Sequence, residues 1–174
     1  MNGIFSAKKL CRAGVIAALY VVLTYVFMPF AYGPLQIRPA EALCILPLFF
    51  GEAVPALFVG CMIANLFGGG VADIFLGSAI TLLAALCTFG IGKLLKKVLP
   101  KFLLGALFPV LFNAVLLPFI FMFLSTIGGS ASVSVYFTYF GSLLLTQTLW
   151  IYGLGTPVYA FIAKMRKQGF APLL

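Results

Sequence analysis

Apolar residues run along this chain in long blocks and do not alternate with polar ones. Clear blocks cover residues 13–30, 73–92, 102–124 and 135–163. An α-helix needs about 20 residues to cross a hydrocarbon core, and each block is near that length or longer. A fifth block, 40–66, is interrupted by Gly51, Glu52 and Pro55. Proline with polar neighbours breaks or kinks a helix, so this block reads as one long tilted helix or as two short ones. The loops are short; the longer ones are 31–39 and 125–134, the second rich in Gly, Ser and Thr.

Charge resolves the count. Lys8, Lys9 and Arg12 precede the first block, Lys93, Lys96, Lys97 and Lys101 sit in a mid-chain loop, and Lys164, Arg166 and Lys167 close the last block. Basic residues collect in cytoplasmic loops. With the N-terminus inside, five helices would leave two of these clusters outside, whereas six keep all three inside. The expected architecture is an all-α integral membrane protein. It has one transmembrane domain over residues 1–174, six helices and both termini cytoplasmic. Each half of 40–66 is short for a core of about 30 Å, so the turn between them is expected to be recessed. The first block lacks a small-residue cleavage site and is expected to be a retained helix, not a signal peptide. No inverted repeat of the kind that builds many secondary transporters is visible.

Composition narrows the function. Of 174 residues, 64% are hydrophobic and 8% charged, with a mean hydropathy of +1.21. Soluble domains are about half apolar and about a quarter charged, so the lipid bilayer is the expected surroundings. With no histidine, the chain has no imidazole for general-base chemistry, proton relay or the usual metal sites. Cys11, Cys44, Cys61 and Cys87 stand singly and read as packing residues. There is no GxxxxGK(S/T) phosphate loop. The net charge of +8 sits at helix ends, where it sets topology, and does not indicate nucleic acid. No metal, cofactor or soluble catalytic domain is expected.

The polar residues left over carry the candidate chemistry. Arg38, Glu41 and Asp73 fall at outer helix ends, Asn65 near the outer end of the third helix, and Asn113 and Gln147 within the fifth and sixth. Ionisable groups at membrane depth are costly and mark function by default. They are expected to converge on an outward-facing pocket ringed by Tyr32, Phe67, Tyr136, Tyr139 and Trp150, a concave site suited to a small molecule. Plainer roles exist for each. Arg38 and Glu41, three apart, could pair with each other. Asp73 could cap its helix, and Asn65, Asn113 and Gln147 could be interhelical glue worth about 1 kcal/mol each. Glu52 reads as a turn residue near water, and Gly68, Gly69 and Gly70 as a turn. In the first helix, Ala13 and Ala17 are four apart, and Gly14 and Ala18 repeat the spacing. Such pairs let another helix approach closely, from within the chain or from a partner.

The run Tyr32-Gly-Pro-Leu-Gln-Ile-Arg38-Pro-Ala-Glu41-Ala-Leu resembles the YGP-L/I-Q-x-R-x-x-E-A-L signature of the QueT family of queuosine-precursor transporters. Glu52-Ala-Val-Pro55, Gly60-Cys-Met-Ile-Ala-Asn65-Leu and Asp73-Ile-Phe-Leu-Gly77-Ser78-Ala-Ile-Thr81-Leu are similar to the segments that follow. The similarity covers most of the chain and is densest over 13–86. It implies a substrate-binding S component of an energy-coupling factor (ECF) transporter, with six membrane helices and an external pocket gated by the loop after the first helix. The implied partners are a membrane coupling subunit, the T component, and two ATPases. Ala13 and Ala17 fit the family's AxxxA docking motif. The implied ligand is a 7-deazaguanine: preQ0, preQ1 or queuine. Glu41 or Asp73 would accept its adjacent N–H donors, Asn65 or Gln147 would meet the ring carbonyl, and Tyr or Trp faces would stack on the bicycle. Arg38 would buttress Glu41. Two readings stand against this: an ion-coupled secondary transporter working alone, and an intramembrane enzyme, for which few chemical groups remain.

Overall fold

The computed structural model describes residues 6–32, 35–127 and 133–168, with side chains up to Met122 in the middle segment. Among these residues there is no strand. Helices α1 (Ala7–Val26) and α2 (Met28–Ala31) form a first, slightly broken rod. A 3-10 helix, Pro39–Leu48, and α3 (Ala53–Gly68) follow. A π turn, Asp73–Gly77, leads without a break into α4 (Ser78–Leu94), and α5 spans Val98–Ile127. The last rod is α6 (Val133–Thr148), a second π turn, Leu149–Leu154, and α7 (Gly155–Lys167). The block 40–66 is therefore two helices, and the turn between them falls at the expected residues. Residues 128–132 of the expected outer loop, with Gly33 and Pro34 of the other, lie outside the described residues.

Among the described residues, three helices are long and apolar enough to cross a membrane: Ala7–Val26, Asp73–Leu94 and Val98–Met122. Pro39–Leu48 and Ala53–Gly68 are apolar but shorter. The last rod is long, but Thr138, Thr146, Gln147 and Thr148 dilute its hydropathy.

The short 3-10 helix is the axis of the bundle. All ten of its residues are buried, and α1, α3, α4, α5, α7 and the π turn Leu149–Leu154 all pack on it. A 3-10 run of this length is unusual. It rises about 2.0 Å per residue, so ten residues reach about 20 Å. As an α-helix they would reach about 15 Å. Pro39 fits the first turn, where no N–H is needed, and Pro47 has no N–H to continue an α ladder near the end. Glycines let the neighbours close in. A Cβ on Gly92 of α4 would lie 2.8 Å from the Leu48 carbonyl oxygen, and one on Gly105 of α5 would run into Leu48 Cδ2. Thr88 Oγ1 donates to the Gly105 carbonyl at 2.9 Å and ties α4 to α5 beside this contact.

Beyond Leu48 the chain turns at residues 49–52, and the three basic clusters meet there. Arg12 Nε stands 3.0 Å from Glu52 Oε1, and its guanidinium lies over the Phe50 ring at 4.7 Å. Arg166 donates to the Phe49 carbonyl at 2.7 Å, and Lys101 Nζ sits 5.5 Å from the centre of the Phe49 ring. The N-terminal, mid-chain and C-terminal cations thus share one end of the bundle.

The glycine contacts are directly testable. Gly92→Ala forces a methyl into the Leu48 backbone and is expected to destabilise the protein by about 1–3 kcal/mol. Gly90→Ala in the same helix meets nothing within 4 Å and is expected to be neutral or slightly stabilising. Thermal unfolding in detergent compares the two.

Candidate ligand-binding site

At the centre of the bundle lies a buried carboxylate. Glu41, 2% exposed, is in the first turn of the axial helix. A buried carboxylate is costly unless hydrogen-bonded, and donors from three elements meet it. Tyr20 of α1 donates its hydroxyl to Oε1 at 2.8 Å. Asn113 of α5 donates Nδ2 to Oε2 at 3.2 Å, and Cys44, one turn along, approaches Oε2 at 3.3 Å. The Asn113 amide also reaches Gln147 Oε1 of α6 at 3.2 Å. Tyr20, Glu41, Asn113 and Gln147 form one chain of hydrogen bonds across the protein. Sequence reasoning missed Tyr20 and treated Cys44 as a packing residue. The signal for Tyr20 was a hydroxyl in the middle of an apolar helix, where it needs a partner.

Arg38 does not pair with Glu41. Its Nε donates to the Ala31 carbonyl at 2.8 Å, and its guanidinium lies over the Tyr32 ring at 4.6 Å. The buttress expected of Arg38 is supplied by Tyr20 and Asn113. Arg38 instead pins the segment between α2 and the axial helix, together with the Ile37 N–H, which donates to the Phe30 carbonyl at 3.0 Å.

Tyr32 is the third anchor of that segment. Its hydroxyl donates to the Ala64 carbonyl at 2.7 Å and touches Asn65 Oδ1 at 3.4 Å. Burial raises its phenol above the ordinary pKa, against the pull of Arg38, so the proton stays in place for this bond. The ring lies against Gly68, where a Cβ would be 2.5 Å from Tyr32 Cε2. Gly68 is thus more than a turn residue. Asn65 Nδ2 donates to the Asp73 carbonyl at 2.7 Å, so Asn65 is a strut joining Tyr32 to the π turn. Asp73 Oδ2 accepts the Gly70 N–H at 3.2 Å, the return half of a capping box. Its Oδ1 has no donor among the described residues.

Between these elements is a cavity of about 230 Å³ lined by Tyr32, Gln36, Asp73, Phe121 and Tyr139. It adjoins the start of the axial helix, at the end opposite the basic clusters. Its size falls below the roughly 300–1,000 Å³ of drug-sized sites and suits a small ligand. Gln36 was missed as a site residue although it stands within the Tyr32–Arg38 run. It is 3% exposed, its Oε1 is buried with no hydrogen-bond partner, and its backbone has φ 40°. A left-handed non-glycine residue costs on the order of 1–3 kcal/mol and tends to be kept at functional sites.

Of the expected aromatic ring, Tyr32 and Tyr139 line the cavity, and Tyr139 packs on Phe121 at 5.6 Å. Phe67 is instead 56% exposed and packs edge-on against Tyr25. Tyr136 stacks on Phe140. Trp150 belongs to the second π turn, one helical turn from Gln147, with its indole N–H buried and without a partner. π turns within α-helices often occur at functional sites, and these two carry Asp73 and Trp150. Among the described residues no three His, Cys, Asp or Glu side chains cluster to hold a metal.

On α1, Ala13 and Ala17 are half-buried against the core, and Ala17 backs onto Gly60 of α3, where a Cβ would lie 3.1 Å from the Ala17 carbonyl oxygen. Gly14 and Ala18 face outward. One small pair serves internal packing, and the other remains open.

The Glu41–Asn113 bond can be isolated by a double-mutant cycle. Asn113→Leu leaves Glu41 Oε2 only the weak Cys44 thiol donor and strands Gln147 Oε1, and is expected to cost about 1–3 kcal/mol. Glu41→Leu in the same background should cost less than it does alone, with a coupling of about 0.5–3 kcal/mol. Additive losses in thermal unfolding would refute the bond.

The family model described as QueT transporter matches residues 10–164. The "Queuosine precursor transporter QueT" of Lactococcus lactis subsp. cremoris (strain MG1363) is 36% identical over 70 residues, which is 39% of this chain and 41% of the relative. No solved structure matches. With the family model spanning nearly all of the helical bundle, the chain belongs to the QueT transporter family.

Proposed function

We propose that this chain is the substrate-binding S component of an ECF importer, taking up a queuosine precursor of the 7-deazaguanine class. It binds and transports and does no chemistry on its ligand. In this reading the six rods cross the cell membrane with both termini cytoplasmic, and the cavity faces outward. The observation that carries the proposal is a small cavity holding a half-buried carboxylate, Asp73, and aromatic faces, at the end of the bundle opposite the converged cations.

The guanine-like edge of a deazaguanine presents adjacent N–H donors, which suit a carboxylate. Asp73 lines the cavity and retains an unused oxygen, whereas Glu41 is fully buried and already accepts from Tyr20, Asn113 and Cys44. The first contact is therefore assigned to Asp73. Glu41, Asn113 and Gln147 form the polar chain through the bundle, and Asn65 and Arg38 hold the walls. The face of Tyr139 is available for stacking on the bicycle, with Trp150 deeper along the same rod. The T component docks on α1, where Gly14 and Ala18 leave room for a second helix and Ala13 and Ala17 set the closeness of α1 to α3. ATP is used by the two partner ATPases, and the loaded subunit topples within the membrane.

Equilibrium binding of preQ1, preQ0, queuine and guanine to the detergent-purified chain tests this. One deazaguanine is expected to bind tightly, and Asp73→Asn to weaken it roughly tenfold to a hundredfold with the fold intact. Unchanged binding by Asp73→Asn, with loss in Glu41→Gln, would move recognition to Glu41. Failure of folded protein to bind any of the four would refute the substrate class. Gly14→Trp and Ala18→Trp should keep binding but abolish uptake with the coupling module. Uptake by the chain alone, driven by an ion gradient, would favour a secondary transporter instead.

A further inference from the structure

We propose that Asn65 is a positioning residue for the ligand: its side-chain amide holds the π turn Asp73–Gly77 open and so aims Asp73 at the cavity. This rests on the assignment of Asp73 as the first ligand contact, and goes beyond it by naming what fixes that residue in place.

Asn65 is 1% exposed and is not among the side chains that line the cavity, so it has no surface to offer a ligand. What it holds is a backbone group. Its Nδ2 donates to the Asp73 carbonyl at 2.7 Å, and the same carbonyl accepts the N–H of Ser78, five residues on. A carbonyl oxygen has two lone pairs, and both are used. In an unbroken α ladder this oxygen would take the N–H of Gly77, four residues on. A side chain inserted at a helical carbonyl is a known cause of such a break in the ladder. The extra residue of a π turn rotates what precedes it by about 100° relative to an unbroken α-helix. Closing the turn would therefore swing Asp73 away from its present direction.

Glycines make this approach possible. A Cβ on Gly69 would lie 2.9 Å from the Asn65 carbonyl oxygen and 3.1 Å from Asp73 Cβ, so Asn65 and Asp73 come together across a position with no side chain. Gly77, at the far end of the π turn, borders the same pair: a Cβ there would be 3.6 Å from Asn65 Nδ2 and 3.8 Å from Asp73 Oδ1. The Gly70 N–H then reaches Asp73 Oδ2 at 3.2 Å and sets the rotation of the carboxylate. Asp73 is thus held at two points, one on its backbone and one on its side chain. Tyr32 does not depend on the Asn65 amide, because its short bond is to the Ala64 carbonyl. Loss of the amide leaves that wall of the cavity anchored and acts on Asp73.

A double-mutant cycle in binding tests this, because a residue that only glues helices together would act whether or not Asp73 is present. Binding of preQ1, with preQ0 and queuine in parallel, is measured on the purified full-length chain. Asn65→Leu removes the donor at similar size, and Gly69→Ala presses a methyl between Asn65 and Asp73. Each is expected to weaken binding by at least about fivefold. In an Asp73→Asn background each should weaken it by less than about twofold. If Asn65→Leu does not fold, Gly69→Ala carries the cycle. Thr88→Val, which breaks the remote bond to Gly105, should lower the melting temperature and leave affinity unchanged. Wild-type affinity in the folded Asn65 or Gly69 variant would overturn the proposal. So would losses that multiply fully with Asp73→Asn, or an equal loss in Thr88→Val. If Asp73→Asn binds like wild type, the assignment of Asp73 fails and this inference with it. If Asp73→Asn weakens binding and the two partner variants do not, the assignment stands and this inference alone falls.

Discussion

A carboxylate buried in an apolar bundle must be surrounded by donors, and in this protein that requirement organises the interior. Glu41 sits in the first turn of a 3-10 helix with no exposed residue. Its partners come from α1 through Tyr20, α5 through Asn113 and its own helix through Cys44, while Asn113 draws in Gln147 of α6. Apolar packing alone is non-directional and leaves the rotation of a helix loosely defined. Hydrogen bonds to one fixed group set the rotation and depth of each helix that supplies a donor. The same axial helix ends at Leu48, seated between Gly92 and Gly105, so polar contacts fix one end and steric fit the other.

The two ends of the axis differ in a way that suits transport. At one end cations gather over Phe49, Phe50 and Glu52, a dense arrangement that holds three remote parts of the chain together. At the other end, anchors from Tyr32, Ile37 and Arg38 border a small cavity lined by Asp73, Phe121 and Tyr139. The Arg38 guanidinium lies over the Tyr32 ring, and its Nε holds the Ala31 carbonyl.

Much of this was legible in the order of residues. Long apolar blocks in a chain poor in charge can only be membrane helices, because their burial in a globule of this size is impossible, and the break near Gly51 follows from local chemistry. The basic clusters were expected on one side, and Arg12, Lys101 and Arg166 do meet at one end of the bundle. Glu41, Asn113 and Gln147 were singled out because each is expensive among apolar neighbours, but they were expected around an outward-facing pocket; the structure joins them in a buried chain of hydrogen bonds instead. The family resemblance was readable from ordered motifs over 32–82, and the family model spans 10–164.

Other features needed the tertiary structure, since they depend on which groups meet and not on which groups exist. Arg38 and Glu41 stand at a spacing that permits a pair on an α-helix, but Pro39 starts a 3-10 helix between them, and each finds other partners. Phe67 and Tyr136 share the composition of a binding-site ring, yet Phe67 is turned outward and Tyr136 is spent on Phe140. Ala13 and Ala17 are indistinguishable from Gly14 and Ala18 by spacing; only the position of Gly60 on α3 decides which pair is used inside. Gln36 is an ordinary polar residue in the sequence, and becomes distinctive once its backbone is left-handed and its carbonyl is closed off without a donor. The sequence determined the kind of protein and the stock of polar groups, because hydropathy and charge act locally along the chain. Which of those groups satisfy one another, and which are left for a ligand, was decided by packing.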